Sequence, residues 1–389
     1  MNLPQTPLGN ISIERFLQEY WQKKPFLIRN GMPNFKSPIS PDELAGLACE
    51  EEALARLIVE KDPDGPWQVK HGPFDESTFA NLPSSNWSLL VQEVDQWVEE
   101  VYQLRQLFNF IPEWRIDDVM VSFAPKQGSV GPHTDNYDVF LVQGFGSRKW
   151  LIDEHKLVSP ELIPNLDLKI LKSFVPTQEW VLEPGDILYL PPNIAHHGIA
   201  LEDCMTYSVG FRAPSELELI TSHIESLSST LEERFYSDSD LTLQTQSCEI
   251  SKKTLTKICK IIEQIPCDQN SIKHWFGRLV TQAKREELVP IVEQEFSSFS
   301  ELINYLKKNP QLSLERDHNF RIAYHHNENN LLLFINGEEY LLDTSALAFV
   351  RALCDSTPFT KEALNELENH LGIGSLIVSL FNSGYLGFV

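Results

Sequence analysis

The spacing of apolar and polar positions changes twice along the chain. Before Pro112, apolar residues recur at helical spacing in IERFLQEYWQKK (13–24) and in NWSLLVQEVDQWVEEVYQLRQLF (86–108). We therefore predict helices over both segments, and a short strand at PFLIRN after the first. Ser40 and Pro41, followed by acidic residues in SPDELAGLA, predict the start of another helix.

After Pro112 the chain consists of short β-branched and aromatic runs that are separated by Gly and Pro turns. The runs are RIDDVMVSFAP, YDVFLVQGFG, RKWLI, EWVLEPGDILYLPP and MTYSVGFRAP. This pattern is typical of antiparallel strands joined by hairpins. We predict an all-β region that ends near Pro214.

From Ser215 the helical spacing returns in SELELITSHIESLSSTLEERF, LTKICKIIEQI and IKHWFGRLVTQAKREE. The next runs, FRIAYHH and NLLLFING, predict the two strands of a hairpin. Helices follow over 344–354 and 361–370, before the final stretch SLIVSLFNSGYLGFV. This order of elements fits a compact α+β module of the winged-helix kind.

Composition limits the function classes that this chain can belong to. Its 389 residues, of which 42% are hydrophobic and 22% charged, suit a soluble protein of two or three domains. No apolar run is long enough to span a membrane, and the first residues do not resemble a signal peptide, so we expect a cytoplasmic protein. The six cysteines form no C-x-x-C pair, which argues against a zinc ribbon, a redox dithiol or a disulfide framework.

The charge of the chain is strongly acidic, with 32 basic and 55 acidic residues and a formal net charge of −23. Such a surface repels nucleic acid and attracts a basic partner. The winged-helix-like stretch 272–389 also has more acidic than basic residues, 15 against 10, which is the wrong sign for contacts to phosphates. We therefore expect that the protein neither associates with a membrane nor binds nucleic acid directly.

The candidate chemistry begins with GPHTDNYD, which lies at the entry of the β region. His133 and Asp135 are two residues apart, so on a strand both side chains leave the same face. A second histidine from a distant strand would complete a set of two histidines and one carboxylate. This set leaves three metal positions open and is typical of non-haem Fe(II) oxygenases.

The second histidine is expected in EPGDILYLPPNIAHHG, about sixty residues later. Gly185 and Asp186 predict a tight turn, and ILYL predicts a strand that the diproline ends before a loop carrying the ligand. His196 and His197 are adjacent, and only one of them can complete the set. The spacing from Pro191 favours His196, with His197 pointing away or lining the cleft.

Three open metal positions suit a bidentate 2-oxo acid and O₂, and the far carboxylate of the acid then needs a buried cation. The candidates are Arg148 and Lys149 in GFGSRKW. Arg148 is favoured because it shares the face of Trp150, expected to be inward, and because a guanidinium can offer two parallel donors to a carboxylate. Ser122 on the preceding strand could add a hydroxyl to the same carboxylate.

These motifs resemble those of the bacterial JmjC ribosomal oxygenases, in particular the group that hydroxylates an arginine of large-subunit ribosomal protein sixteen. The resemblance covers most of the chain and is carried by NWSLLVQEVDQW, WRIDDVMVSF, GPHTDNYDVFLVQG, LEPGDILYLPP, YSVGFRAP and NSGYLGFV. It implies a mixed α and β protein in three parts. These are a JmjC oxygenase domain over 1–214 with a cupin-like double-stranded β-helix core at about 115–214, a helical dimerisation segment over 215–271, and a winged-helix-like domain over 272–389.

The resemblance also implies a function. The protein would be an Fe(II)- and 2-oxoglutarate-dependent dioxygenase, a homodimer, that hydroxylates the β-carbon of an arginine in a basic ribosomal protein. His133, Asp135 and His196 match the iron ligands, and Ser122 and Arg148 match the 2-oxoglutarate contacts. The positions that match the cleft for the target arginine are Asp118, Met120, Tyr137 and Ser208. His197 departs from the family pattern, in which an acidic residue is commoner.

Other functions remain open from the sequence. A related hydroxylase would act on histidine, and a demethylase would act on methyl-lysine, although the sequence offers no cage for a methylammonium group. A non-catalytic metal-binding cupin could serve as a scaffold in ribosome assembly. A regulator could bind DNA through the C-terminal module.

Overall fold

The computed structural model describes residues 6–60, 67–157, 159–228, 232–243, 248–283, 292, 294–367 and 372–389. The chain separates into two units, Met1–Ala213 and Pro214–Val389. In the part of the chain that is described, no helix has the length and apolarity needed to cross a membrane.

The first unit combines four helices with eleven strands over its described residues. The helices are α1 (Ile13–Glu19), α2 (Pro41–Leu47), α3 (Glu76–Ala80) and α4 (Glu99–Gln106). The strands are β1 (Phe26–Ile28), β2 (Ala55–Glu60), β3 (Trp67–His71), β4 (Trp87–Val91), β5 (Ile116–Ala124), β6 (Val139–Phe145), β7 (Arg148–Lys156), β8 (Gln178–Leu182), β9 (Ile187–Leu190), β10 (Ile194–Ala200) and β11 (Cys204–Phe211).

The strands form two antiparallel sheets. The larger has the order β1-β9-β6-β11-β5-β4-β2-β3, and the smaller has the order β10-β7-β8. Strands from the two sheets share one apolar core, which consists of Val139, Leu141, Trp150, Ile152, Leu182, Leu188, Leu190 and Ile194. Two antiparallel sheets that close on a common core confirm the predicted double-stranded β-helix.

A second core in the same unit joins helices to the larger sheet. Phe16 of α1, Leu44 of α2 and Leu104 of α4 are buried in the same cluster as Phe140 of β6 and Tyr189 of β9. The helices therefore cover one face of the larger sheet and leave its other face to the cavity described below. The predicted helix start is confirmed at α2, where the Ser40 hydroxyl accepts from the amide of Glu43, and the Glu43 carboxylate accepts from the amide of Ser40.

The predicted helix over 86–108 is wrong in its first half. Trp87–Val91 forms strand β4, which lies between β2 and β5, and only Glu99–Gln106 is an α-helix. Ser88 to Val91 are buried on both faces of the sheet. A strand buried on both faces is apolar without alternation, so its residues fit a helical pattern as well as a strand pattern.

The turn between β8 and β9 was predicted at Gly185 and Asp186, and the structure confirms it. Gly185 has φ of +90°, and a Cβ there would lie 2.5 Å from the carbonyl oxygen of Met32. Asp186 accepts from the amide of Asn30 at 2.8 Å and pairs with Arg29 at 2.6 Å. These contacts fix the start of β9, and therefore the start of β10 that follows it.

Over its described residues, the second unit begins with four helices and continues with mixed elements. Its helices are α5 (Glu216–Leu227), α6 (Lys252–Ile262), α7 (Gln269–Thr281), α8 (Phe299–Lys308), α9 (Leu347–Cys354), α10 (Lys361–Leu367) and α11 (Ile373–Asn382). Its strands are β12 (Leu314–Arg316), β13 (Ile322–His326), β14 (Leu331–Ile335), β15 (Glu338–Leu342) and β16 (Leu386–Phe388).

The predicted hairpin of the second unit is confirmed as β13 and β14, and β15 adds a third strand to it. Helix α7 packs on this sheet closely enough that a Cβ on Gly277 would lie 2.3 Å from the ring of Phe334. The first predicted helix is shorter than expected, since α5 ends at Leu227. Residues 229–231, 284–287 and 368–370, which the predicted helices included, lie outside the described residues.

Candidate metal and cosubstrate site

The structure brings His133, Asp135 and His196 together, with one donor atom of each within 4.8 Å of the others. Asp135 Oδ2 lies 3.5 Å from His196 Nε2 and 3.9 Å from His133 Nε2. Over the described ranges, no other cluster of three or more His, Cys, Asp or Glu side chains is arranged in this way. Two imidazoles and one carboxylate at these separations can occupy one face of an octahedral metal.

Backbone pairing holds the ligand-bearing segments side by side. The amide of His133 donates to the carbonyl of His196 at 3.0 Å, and the amide of His196 donates back at 2.9 Å. Further along, the amide of Asn193 donates to the carbonyl of Asp135 at 2.7 Å. His196 therefore lies on strand β10, not on a loop as predicted. The strand pairing, and not a flexible connection, sets the distance between the two histidines.

Hydrogen bonds to main-chain carbonyls fix the tautomer of both histidines. Nδ1 of His133 lies 2.9 Å from the carbonyl oxygen of Gly131, and Nδ1 of His196 lies 2.9 Å from that of Ile194. A carbonyl oxygen only accepts, so each Nδ1 carries the proton and each Nε2 presents a lone pair to the site. Burial, helped by His133, lowers the pKa of His196 to about 4, which keeps the ring in the neutral form that binds metals.

His197 points away from the other three side chains. Its Nε2 lies 2.9 Å from the hydroxyl oxygen of Ser129, and its ring lies against Phe174. The direction follows from the alternation of β10, in which neighbouring residues face opposite sides. The arrangement accords with the choice of His196 over His197 as the candidate ligand.

Arg148 enters the same space from β7 and is only 3% exposed. Its Nη1 lies 3.4 Å from the hydroxyl oxygens of Ser122 and Thr206, but its buried Nε has no acceptor among the described residues. The indole Nε1 of Trp150, which lies under the guanidinium, is likewise buried without an acceptor. No carboxylate of the described residues pairs with Arg148, and burial lowers its pKa. A buried cation with unused donors indicates a binding site for an anion.

Lys149 lies on the other face of β7. Its Nζ pairs with Glu179 at 3.8 Å, and its side chain is 30% exposed. The alternation of the strand therefore separates the two basic residues, and only Arg148 belongs to the cavity.

Comparison with known proteins places the chain among enzymes. A family model for the JmjC domain matches residues 103–219, and a model for the ROXA-like winged helix matches residues 261–387. The ribosomal protein uL16 3-hydroxylase of Escherichia coli is 37% identical over 374 residues, which cover 96% of each chain. A probable ribosomal oxygenase of Haemophilus influenzae is 38% identical over 85% of this chain and 82% of its own. This chain is a ribosomal oxygenase.

Solved structures agree with this family. The crystal structure of E. coli YcfD superposes with a TM-score of 0.85 at 35% identity, and the match covers 98% of this chain and 99% of YcfD. The structure of YcfD in complex with cobalt and 2-oxoglutarate superposes with a TM-score of 0.81 at 34% identity over the same shares. The JmjC fold and the C-terminal winged helix that the sequence predicted are thereby confirmed.

In this ribosomal oxygenase a cavity of about 430 Å³ opens beside the three candidate metal ligands. One wall is the free face of the larger sheet. The other carries Arg148 and Trp150, together with residues 167–170 of the connection between β7 and β8. The predicted substrate residues that line this cavity are Asp118, Met120, Tyr137 and Ser208.

Three of these four residues belong to two paired strands. Asp118 and Met120 are two residues apart on β5 and so share one face of the strand, and Met120 lies opposite Ser208 of β11. Asp118 is 7% exposed and accepts from the amide of Glu93 at 3.1 Å. Tyr137, by contrast, is 41% exposed and stands at the cavity from the segment after the metal ligands. A carboxylate and a partly exposed aromatic ring in one cavity suit a cationic side chain with an apolar stem.

Thr206 is a site residue that the sequence reasoning missed. It lies opposite Ser122 across β5 and β11, and its hydroxyl is 3.4 Å from Arg148 and 3.3 Å from the amide oxygen of buried Gln143. Gln143 orients the hydroxyl, because its oxygen can only accept. Alternation could have found Thr206, since it lies two residues before Ser208 on the same strand.

Proposed function

We propose that this chain is an Fe(II)- and 2-oxoglutarate-dependent hydroxylase that modifies the β-carbon of an arginine in large-subunit ribosomal protein uL16. The observation that carries the proposal is a buried arginine, paired with no carboxylate in the described part of the chain, beside a cluster of two histidines and one aspartate. Such a pair of sites suits a metal and an anionic chelator in one cavity. The names of the relatives supply the ribosomal substrate.

The residues at the site fit both groups. His133, Asp135 and His196 would hold the metal through Nε2 and carboxylate atoms, and the fixed Nδ1 tautomers leave those atoms ready. Arg148, supported by the hydroxyls of Ser122 and Thr206, would hold the far carboxylate of 2-oxoglutarate. When bound, the metal and 2-oxoglutarate supply the activation of O₂ for insertion of one oxygen atom into a C–H bond.

The substrate cleft supports an arginine as the target. Asp118 would accept from the guanidinium, Ser208 would add a hydroxyl, and Met120 and Tyr137 would hold the apolar stem between them. Arginine is always charged and offers two parallel donors to a carboxylate, whereas histidine is largely neutral at pH 7, so the charge of Asp118 favours arginine over histidine. The acidic chain, with a formal net charge of −23, is complementary to a basic ribosomal protein. Action on a ribosomal protein would place the enzyme in the cytoplasm.

Mass spectrometry of uL16 incubated with enzyme, Fe(II) and 2-oxoglutarate tests the substrate. We expect a gain of one oxygen on a single arginine, at its β-carbon. Asp118→Asn removes the charge that attracts the guanidinium, and we expect its KM for uL16 to rise about tenfold or more. Substrate-free turnover of 2-oxoglutarate by this variant should stay at the wild-type rate, because Asp118 does not contact the cosubstrate.

The other candidate functions predict different outcomes. Oxygen on a histidine would assign the chain to the histidine hydroxylases. The absence of both oxygen transfer and substrate-free 2-oxoglutarate turnover would favour a non-catalytic scaffold in ribosome assembly.

We also propose the domain division given by the resemblance, with an oxygenase domain over 1–214, a helical dimerisation segment over 215–271 and a winged-helix-like domain over 272–389. Dimerisation is supported by large apolar residues that are exposed on two helices of the segment. They are Leu217, Ile220 and Ile224 on α5 and Leu255, Ile258, Ile261 and Ile262 on α6. A second copy of the chain would cover this surface.

Charge introduced on α6 tests the dimer. We expect wild-type protein to sediment as a dimer and Ile258→Glu/Ile261→Glu to sediment as a monomer with an unchanged circular dichroism spectrum. Lys260→Glu on the same helix changes the charge of a residue that is already polar and should remain dimeric. A monomeric wild type at micromolar concentration would contradict the proposal.

A further inference from the structure

The cavity contains a second arginine with a buried donor that is not used. Among the described residues, Arg56, Arg105 and Arg148 have a buried Nε without a hydrogen-bond acceptor. Arg105 nevertheless pairs with two carboxylates, those of Asp95 and Glu113, each at 3.4 Å. Arg56 and Arg148 pair with no carboxylate of the described residues, and both line the cavity. The proposed 2-oxoglutarate carboxylate would occupy the donors of Arg148, whereas no proposed ligand occupies those of Arg56.

The sheet register shows which part of the cavity Arg56 reaches. Arg56 of β2 lies opposite Leu90 of β4, Leu90 lies opposite Ser122 of β5, and Ser122 lies opposite Thr206. Neighbouring strands are about 4.8 Å apart, so the Cα of Arg56 is roughly 10 Å from that of Ser122. Arg148 contacts two members of this series of paired residues, Ser122 and Thr206. Arg56 therefore lies two strands away from the Ser122 that contacts Arg148.

Arg56 shares the cavity with the predicted substrate residues. Arg56, Asp118 and Tyr137 all contribute to its lining. Asp118 is suited to the guanidinium of the inserted side chain. Arg56 would repel that group, so its donors must serve another part of the substrate.

We propose that Arg56 is a specificity-determining residue, which donates to an oxygen acceptor of the peptide flanking the inserted arginine and excludes a basic side chain there. The inference rests on the proposed function and adds to it a preference for the flanking sequence. A shielded donor without an acceptor destabilises the free cavity, and an oxygen of the bound peptide relieves this. In a ribosomal protein rich in Lys and Arg, a second cation beside the target would meet the charge of Arg56.

A series of peptides tests this preference. The parent is a synthetic uL16 peptide centred on the residue that the wild-type enzyme oxidises, and each flanking position is changed in turn to Glu, Ala and Lys. At the position that faces Arg56, we expect kcat/KM to fall about tenfold from Ala to Lys in the wild type. In Arg56→Gln this difference should shrink to less than about twofold, and in Arg56→Lys it should persist.

The two sources of the acceptor oxygen give different patterns. If a main-chain carbonyl is the acceptor, Arg56→Gln raises KM for every peptide in the series. If a side-chain carboxylate is the acceptor, Arg56→Gln raises KM only for peptides with an acidic residue at that position. A circular dichroism spectrum of Arg56→Gln that matches the wild type would show that the substitution leaves the fold intact.

Lys169→Gln is the matched control, because Lys169 is an exposed residue of the same cavity and loses the same charge. An equal effect of both substitutions would overturn the proposal and assign the preference to the overall charge of the cavity. A preference against Lys that survives in Arg56→Gln would overturn it as well. Failure of the wild type to oxidise the parent peptide would instead count against the proposed function.

Discussion

His196→Ala is expected to abolish hydroxylation and to weaken metal binding by more than about 100-fold, whereas His197→Ala should retain both. The two residues are adjacent on β10, but only His196 presents Nε2 toward His133 and Asp135. The Nε2 of His197 instead contacts Ser129. Loss of a ligand to the metal costs more than loss of a surrounding contact, which is worth 10–100-fold in metal affinity.

The measurement is anaerobic titration of each variant with Co(II), followed by its visible absorption, beside a hydroxylation assay. His197→Ala is a matched control because it removes the same imidazole one residue further along the strand. Loss of metal binding in His197→Ala, with retention in His196→Ala, would contradict the assignment. Circular dichroism and melting temperature would show whether either variant has lost its fold.

The candidate site could be predicted from sequence because its elements follow a period of two. His133 and Asp135 lie two residues apart in one segment, as do Arg148 and Trp150 in another. Each pair therefore shares a face wherever its backbone is extended. The Gly185 turn and the spacing from Pro191 singled out His196, although they placed it on a loop and not on β10. In this region local geometry and the fold impose the same pattern, so the sequence was sufficient.

The rest depended on contacts that the sequence does not show. Trp87–Val91 has the apolar pattern of a helix, and only its position between β2 and β5 makes it a strand. Arg56 lies on β2, next to that misassigned segment in the sheet, so a helix over 86–108 left no reason to place it at the cavity. Alternation places Thr206 on the same face as Ser208, but its contact with Gln143, 63 residues away along the chain, is one that the sequence does not show.

Arg148→Met should raise the KM for 2-oxoglutarate about 100-fold without lowering the stability of the free enzyme. Truncating one member of a buried, hydrogen-bonded charge pair costs about 3 kcal/mol, which corresponds to that factor. The stability expectation has the opposite sign from that of an ordinary core substitution. In the free enzyme Arg148 is a buried cation without a carboxylate partner among the described residues, and methionine fills similar space without a charge to desolvate.

Thermal melting with and without 2-oxoglutarate, in the presence of a redox-inert divalent metal, separates these two effects. Wild type should melt at a higher temperature when 2-oxoglutarate is added, because the ligand binds only the folded state, and Arg148→Met should show little of this increase. Lys149→Met is the control, since Lys149 lies on the other face of β7 and pairs with Glu179, and its KM for 2-oxoglutarate should stay unchanged. A marked fall in the melting temperature of free Arg148→Met would show that the guanidinium supports the fold through Ser122 and Thr206. In that case its unused donors would no longer indicate an anion site, and the cosubstrate would need another anchor.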